Sequence, residues 1–64
     1  MKFIRLRTVL EMTALSSTTL YRLIETGKFP QNVALGERCV AWVEEEVEDW
    51  LAQRIAERDG GGTN

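Results

Sequence analysis

The sequence predicts a small, mainly α-helical domain that contains one short β-hairpin. Its 64 residues allow a single domain with little core to spare. Apolar residues recur at helical spacing in three segments, and two short apolar runs flank a glycine-containing turn. The expected order of elements is therefore helix, tight turn, helix, hairpin and helix.

The N-terminal segment predicts a short extended stretch followed by a short helix. Residues 3–6 alternate apolar and charged side chains, which suits a brief strand or an extended lead-in. Over residues 7–13, the spacing of Leu6, Val9 and Leu10 indicates a helix of about two turns. So short a helix is not stable alone and must pack on another element.

The second helix is predicted over residues 17–26, after a tight connection at Ala14 and Leu15. Ser16 suits the N-cap because its hydroxyl can accept a hydrogen bond from an amide of the first turn. Gly27 suits the left-handed position that ends a helix, and Pro30 marks the stop. The apolar stripe consists of Leu20, Leu23 and Ile24, and the opposite face carries Thr18, Tyr21, Arg22 and Glu25.

The remaining elements are a hairpin and a third helix. Residues 33–35 and 39–42 form the two hairpin strands, and Gly36 supplies the positive φ that a short hairpin loop needs. Glu44, Glu45 and Glu46 suit the first turn of a helix by its dipole. Residues 59–64 contain three glycines and no apolar residue, so the domain is expected to span 1–58 and to end in a disordered tail.

The apolar positions of these elements are the predicted core. They are Ile4, Leu6, Val9, Leu10, Leu15, Leu20, Leu23, Ile24, Phe29, Val33, Leu35, Val40, Trp42, Val47, Trp50, Leu51 and Ile55.

The net charge of −2 conceals a strong asymmetry along the chain. Residues 1–38 carry six Lys or Arg against three Glu, a net +3, whereas residues 39–64 carry two Arg against seven acids, a net −5. Such a division indicates a basic surface that approaches a polyanion, although an acidic helix is also typical of a solvated face.

The composition excludes the common enzyme and metal sites. Cys39 is the only cysteine and there is no histidine, so a disulfide within the chain and a zinc site are ruled out. No phosphate-binding glycine loop or nucleophile beside a base is present. No segment resembles a signal peptide or a membrane span, so we expect a cytoplasmic protein without cofactor, metal or enzymatic activity.

The order of elements is typical of a winged helix-turn-helix with three helices and a wing. The stretches "LSSTTLYRLIETGKFP", "LGERCVAW" and "EVEDWL" together resemble the AlpA family of phage and prophage regulators, which is similar to excisionases and to MerR-like winged-helix domains. The resemblance covers residues 3 to about 57. It implies binding of double-stranded DNA, either to activate an integrase gene of a prophage or island or to act as a recombination directionality factor. It also implies self-association on repeated sites, with integrase or RNA polymerase as candidate partners.

The resemblance also selects residues for DNA contact. The second helix would enter the major groove, with Arg22 contacting a guanine edge or a phosphate. Tyr21 would bind a phosphate or cover the core with its ring, and Arg5 would position the DNA backbone or pair with an acid of the last helix. The predicted DNA-binding residues are Ser17, Thr18, Thr19, Tyr21, Arg22, Lys28, Arg38, Arg5 and Arg7.

Three positions depart from the family pattern. Ser17 stands where the family usually has Arg, Ala14 where the turn usually has Gly, and Glu37 where the wing tip is usually Gly or basic. The loss of Arg at 17 and the acid at 37 leave a second hypothesis open. In that hypothesis the scaffold has little DNA affinity and serves as a protein-binding adaptor whose acidic helix docks on a basic partner.

Overall fold

A computed structural model describes residues 1–60, which form three helices around a small antiparallel sheet. The strands are β1 (Phe3–Ile4), β2 (Val33–Gly36) and β3 (Cys39–Val43). The helices are α1 (Leu6–Thr13), α2 (Ser17–Glu25) and α3 (Glu44–Asp59). The predicted fold class, a winged helix-turn-helix with three helices and a wing, is therefore confirmed.

Strand β3 lies at the centre of the sheet and pairs with the N-terminal strand β1 on one edge and with β2 on the other. The strand order is β1-β3-β2, with Ile4 opposite Trp42 and Val33 opposite Ala41. The amide of Glu44 donates to the carbonyl of Lys2 at 2.8 Å, so the pairing continues to the start of α3. The stretch at residues 3–6 thus forms a true strand over its first two residues.

The core lies where α1, α2, β3 and the first half of α3 meet. Trp42, Leu20, Val9 and Val47 are fully buried, and partly buried Leu6, Leu10, Leu15, Leu23 and Leu51 pack around the cluster. Ala41 is also fully buried, although it is not among the predicted core residues. It lies in the central strand β3, opposite Val33.

Three predicted core residues are exposed, so that part of the prediction is wrong. Val33 and Leu35 are 37% and 49% exposed because they lie on the edge strand β2, all of whose residues face solvent. Ile55 is 52% exposed because α3 extends beyond the domain body, and every residue from 52 to 60 is exposed. In α3 the apolar pattern continues past the part of the helix that packs, and in β2 it lies on a strand that is exposed along its whole length.

The hairpin turn also differs from the prediction. Within residues 1–60, positive φ occurs at Gly27 and Ala14, and Gly36 has none. Gly36 instead ends β2 opposite Cys39, after an irregularity in the register that begins at Ala34. The irregular strand end thus brings the chain into the two-residue turn without a left-handed glycine.

The C-terminal limit of the domain stays a prediction. Helix α3 continues through Asp59, one residue beyond the predicted boundary, and residues 61–64 of the predicted tail lie outside the described residues. In the described part of the chain, no helix is both long and apolar enough to cross a membrane.

Ala14 holds the turn between α1 and α2 in a strained conformation. Its φ is 60° and its ψ is 20°, and its amide donates to the carbonyl of Leu10 at 2.8 Å. A residue with a Cβ atom in this region costs about 1–2 kcal/mol relative to the right-handed conformation. This strain gives a physical reason for the glycine with which the family pattern usually fills this position.

Replacing Ala14 with glycine is expected to stabilise the domain. Ala14→Gly should raise the free energy of unfolding by about 0.5–1 kcal/mol, because relief of the strain exceeds the added freedom of the unfolded chain. Thermal unfolding followed by circular dichroism checks this, with a rise of a few degrees expected for so small a domain. The matched control is Ala52→Gly in the exposed part of α3, which should lower stability by about 0.5–1 kcal/mol. A loss of stability in Ala14→Gly would contradict the left-handed turn.

Candidate nucleic-acid interface

Helix α2 begins at a hydrogen-bonded N-cap that fixes its first turn. Ser16 has extended backbone angles, and its Oγ accepts from the amide of Thr19 at 3.2 Å, which confirms the predicted cap. The Ser16 hydroxyl also donates to Oγ1 of Thr19 at 3.0 Å. Thr19 is half-buried, so its hydroxyl serves the cap, and its contact with DNA stays a prediction.

The end of α2 is fixed equally well. Gly27 has a φ of 75°, its amide donates to the carbonyl of Ile24, and the amide of Lys28 donates to the carbonyl of Leu23. This pair of hydrogen bonds is the Schellman motif, which confirms the predicted left-handed end of the helix. It also fixes the backbone of Lys28, whose carbonyl accepts from Nε1 of Trp50 at 2.7 Å.

One face of α2 is buried and the opposite face is open. Leu20 and Ile24 enter the core, as the helical spacing predicts. We call the other side the outer face of α2; its residues are all exposed, and they are Ser17, Thr18, Tyr21, Arg22 and Glu25. Among the residues on this face, Glu25 is the one that the sequence analysis did not include in the site. Glu25 lies three residues after Arg22, and this spacing places the two residues on the same face of a helix.

Tyr21 connects the outer face to the core. Its ring centroid lies 6.4 Å from that of Trp42, with an angle of 59° between the rings, while 38% of the residue is exposed. The ring therefore packs at the edge of the core, and the phenol end is open to solvent. Its contact with a phosphate stays a prediction.

The wing shares this core with α2. Trp42 belongs to β3, and Arg38 lies in the turn between β2 and β3, four residues before it. At about 3.3 Å per residue, Arg38 is therefore within about 13 Å of Trp42 along the strand. Trp42 thus contacts the outer face of α2 through Tyr21 and belongs to the strand that leads from the wing tip.

The basic residues divide into two groups by their partners. Three are in ion pairs: Lys2 with Glu44 at 3.9 Å, Arg54 with Glu57 at 2.6 Å and Arg58 with Asp59 at 2.8 Å. The other five are exposed and make no ion pair with any residue in 1–60, and we call them the unpaired cations. They are Arg5, Arg7, Arg22, Lys28 and Arg38.

The unpaired cations all belong to the predicted DNA-binding residues. For Arg5, the alternative of pairing with an acid of the last helix is not realised in residues 1–60, since the acid at the start of α3 pairs with Lys2 instead. Arg5 lies at the N-cap of α1 and Arg7 in its first turn. Cations without carboxylate partners are free to neutralise phosphates, and each such contact releases counterions from DNA.

A capped helix with an open polar face, a hairpin that packs on the same core and a set of unpaired cations are typical of the winged helix-turn-helix class of regulators. Residues 2–55 match the family model described as "Prophage CP4-57 regulatory protein (AlpA)". The chain belongs to the AlpA family, as the resemblance of its motifs predicted.

Two relatives illustrate this membership. The chain is 45% identical over 60 residues to "Uncharacterized protein ORF88" of Enterobacteria phage P4. The match covers 94% of the chain and 68% of that protein. It is 30% identical over 59 residues to "DNA-binding transcriptional activator AlpA" of Escherichia coli (strain K12), with 83% of the chain and 84% of that protein covered.

Proposed function

We propose that this chain is a sequence-specific DNA-binding transcriptional regulator that binds with α2 in the major groove and the wing on the adjacent backbone. The single observation that carries the proposal is the division of the cations. The unpaired cations lie on α1, on α2, in the turn after α2 and at the wing tip, whereas both arginines of α3 are held by neighbouring acids. The cations that are free to contact phosphate therefore belong to elements other than the acidic helix α3.

Each residue of the interface has a proposed role. Arg22 contacts a guanine edge or a phosphate, and Ser17 and Thr18 in the first turn of α2 contact phosphates or base edges. Tyr21 donates its phenol to a phosphate. Arg5, Arg7, Lys28 and Arg38 position the backbone, and Thr19 acts mainly through the cap that orients this turn.

The proposed cellular role is supported by the family and by the relative named as a transcriptional activator. We propose that the chain activates transcription of a prophage or island integrase gene, or acts as a recombination directionality factor, with copies bound side by side on repeated sites. Integrase and RNA polymerase are the proposed partners, and the cytoplasm is the proposed location. No cofactor is assigned to it.

Two assays on one DNA segment separate these roles. A reporter gene is placed behind DNA from upstream of the nearest integrase gene, and excision between the attachment sites is measured in parallel. An activator raises reporter expression without a direct effect on purified integrase, whereas a directionality factor stimulates excision by purified integrase. Failure of the protein to retard this DNA at low salt, while it remains folded, would contradict the proposal and favour the adaptor alternative.

Restoring the arginine that the family pattern places at position 17 is expected to strengthen DNA binding. Ser17 is exposed in the first turn of α2. Ser17→Arg should raise affinity about fivefold to tenfold and steepen the salt dependence of binding by about one phosphate contact. The uncharged control Ser17→Gln has a similar length and should leave the salt dependence unchanged. Equal affinities and equal salt dependences of the two variants would argue against a phosphate beside this turn.

A further inference from the structure

A continuous groove runs along α3 on the side of the segment that follows α2. Two adjoining depressions of about 540 and 590 Å³ share Pro30, Trp50 and Gln53 in their walls. The α3 residues that line them are 46, 49, 50, 53 and 54, and this spacing places them on one face of the helix. The opposite wall is formed by residues 27–33.

The floor of the groove is rigid. The indole of Trp50 donates to the carbonyl of Lys28 at 2.7 Å, and its ring meets the buried Phe29 edge-on at 4.8 Å between centroids. The guanidinium of Arg54 lies 5.1 Å from the ring centroid of Trp50. The contacts of Trp50 with Lys28 and Phe29 join α3 to the 27–30 turn, so the groove is formed in the chain without a ligand.

The groove carries a charge gradient along its length. Glu46 and Asp49 line one end, and neither forms an ion pair within residues 1–60. Lys28 lines the other end together with Arg54, whose guanidinium pairs with Glu57. Between the two ends lie the half-buried Trp50 and the amide side chain of Gln53, and the 37% exposed Val33 lies at the acidic end. A partner that complements this order carries a cation, then an apolar side chain, then an acid.

We propose that this groove binds an extended peptide segment of a partner protein with the side-chain order cation, apolar, acid. The step from Glu46 to Arg54 spans about 12 Å of helix. Alternate side chains of an extended peptide lie about 6.6 Å apart, so three of them on one side span about 13 Å. The match places a Lys or Arg at Glu46 and Asp49, an apolar side chain over Trp50 and Val33, and an acid at Lys28, which makes no ion pair within residues 1–60.

Other occupants complement the groove less well. DNA would bring phosphates onto the unpaired Glu46 and Asp49, which repel them. The four residues after Gly60 are Gly, Gly, Thr and Asn, which offer neither a cation nor an apolar side chain. The proposal adds a second surface to the chain and does not depend on the outer face of α2.

The test uses the full chain and a fluorescein-labelled probe with the sequence Lys-Ser-Leu-Ser-Glu. Fluorescence anisotropy should rise to saturation, and the Trp50 indole resonance should shift in NMR spectra of the labelled protein. Probes with Leu replaced by Ser, or with Lys replaced by Glu, should bind at least fivefold more weakly. Absence of saturation, or equal binding of the three probes, would overturn the proposal.

Variants with a matched charge change locate the site. The double variant Glu46→Gln, Asp49→Asn should weaken probe binding at least fivefold, whereas Glu45→Gln, Glu48→Gln removes two exposed carboxylates of α3 that do not line the groove and should leave binding unchanged. Val33→Ser should weaken binding, whereas Leu35→Ser on the same exposed strand should not.

Equal weakening of probe binding by both double variants would show that the probe is attracted to the acidic helix as a whole, which would overturn the groove as its site. Sedimentation that shows dimers abolished by Glu46→Gln, Asp49→Asn, or DNA-induced shifts of the Glu46 and Asp49 amides, would assign the groove to those occupants instead.

Discussion

Replacing Arg22 with alanine is expected to lower affinity for the target DNA about tenfold to a hundredfold. Arg22 is exposed at the middle of the outer face of α2 and has no carboxylate partner within residues 1–60. A bidentate contact of an arginine with a guanine edge contributes about 1–3 kcal/mol of discrimination. Fluorescence anisotropy with a labelled duplex at several salt concentrations measures the loss.

Two further variants show whether the loss of affinity comes from the position of the charge or from the shape of the guanidinium. Arg58→Ala removes the same charge from α3, where Asp59 holds the guanidinium at 2.8 Å, and should leave affinity almost unchanged. Arg22→Lys keeps the charge but loses the planar fork, so it separates the two roles that remain open for Arg22. A guanine contact is indicated if Arg22→Lys loses sequence preference, and a phosphate contact if it retains both preference and most of the affinity. Full affinity in Arg22→Ala would contradict its place in the interface.

Truncating Leu20 is expected to have the largest effect on stability. Leu20 is fully buried between α2 and the rest of the core, and Leu20→Ala should lower the free energy of unfolding by about 2–5 kcal/mol. For a domain of this size such a loss leaves little or no folded protein at 37 °C. Chemical unfolding followed by circular dichroism gives the difference directly.

Leu35→Ala is the matched control, because it removes the same atoms from the edge strand β2. Leu35 is 49% exposed, so its truncation should change stability by no more than about 0.5 kcal/mol. A cost of several kcal/mol at Leu35 would mean that β2 is covered in solution, for instance by another chain. Equal costs at the two leucines would contradict the core described above.

The features that depend on local chemistry were predictable from the sequence. The Ser16 cap and the Gly27 end of α2 each involve hydrogen bonds between residues five or fewer positions apart, so the residue types alone indicate them. The buried stripe of α2 follows from its period. The same period predicts the exposure of Thr18, Tyr21, Arg22 and Glu25, which is confirmed.

The features that depend on distant parts of the chain were not predictable. A short apolar run does not reveal whether its strand is central or at an edge, so the predicted core wrongly includes Leu35 and omits Ala41. The pattern at Ile55 likewise does not show where the domain body ends along α3. In the candidate site, the ion pair of Lys2 with Glu44 joins residues far apart in sequence, and only the fold reveals that Arg5 is left unpaired.

The surface that meets DNA can be mapped directly by NMR. Backbone amide resonances of the full chain are followed while a duplex from upstream of the integrase gene is added. The largest changes are expected at the outer face of α2, at Lys28 and at Arg38 in the wing, with the amides of the exposed half of α3 unaffected. Changes confined to α3, with α2 and the wing unperturbed, would contradict the proposal that the basic side of the domain binds DNA.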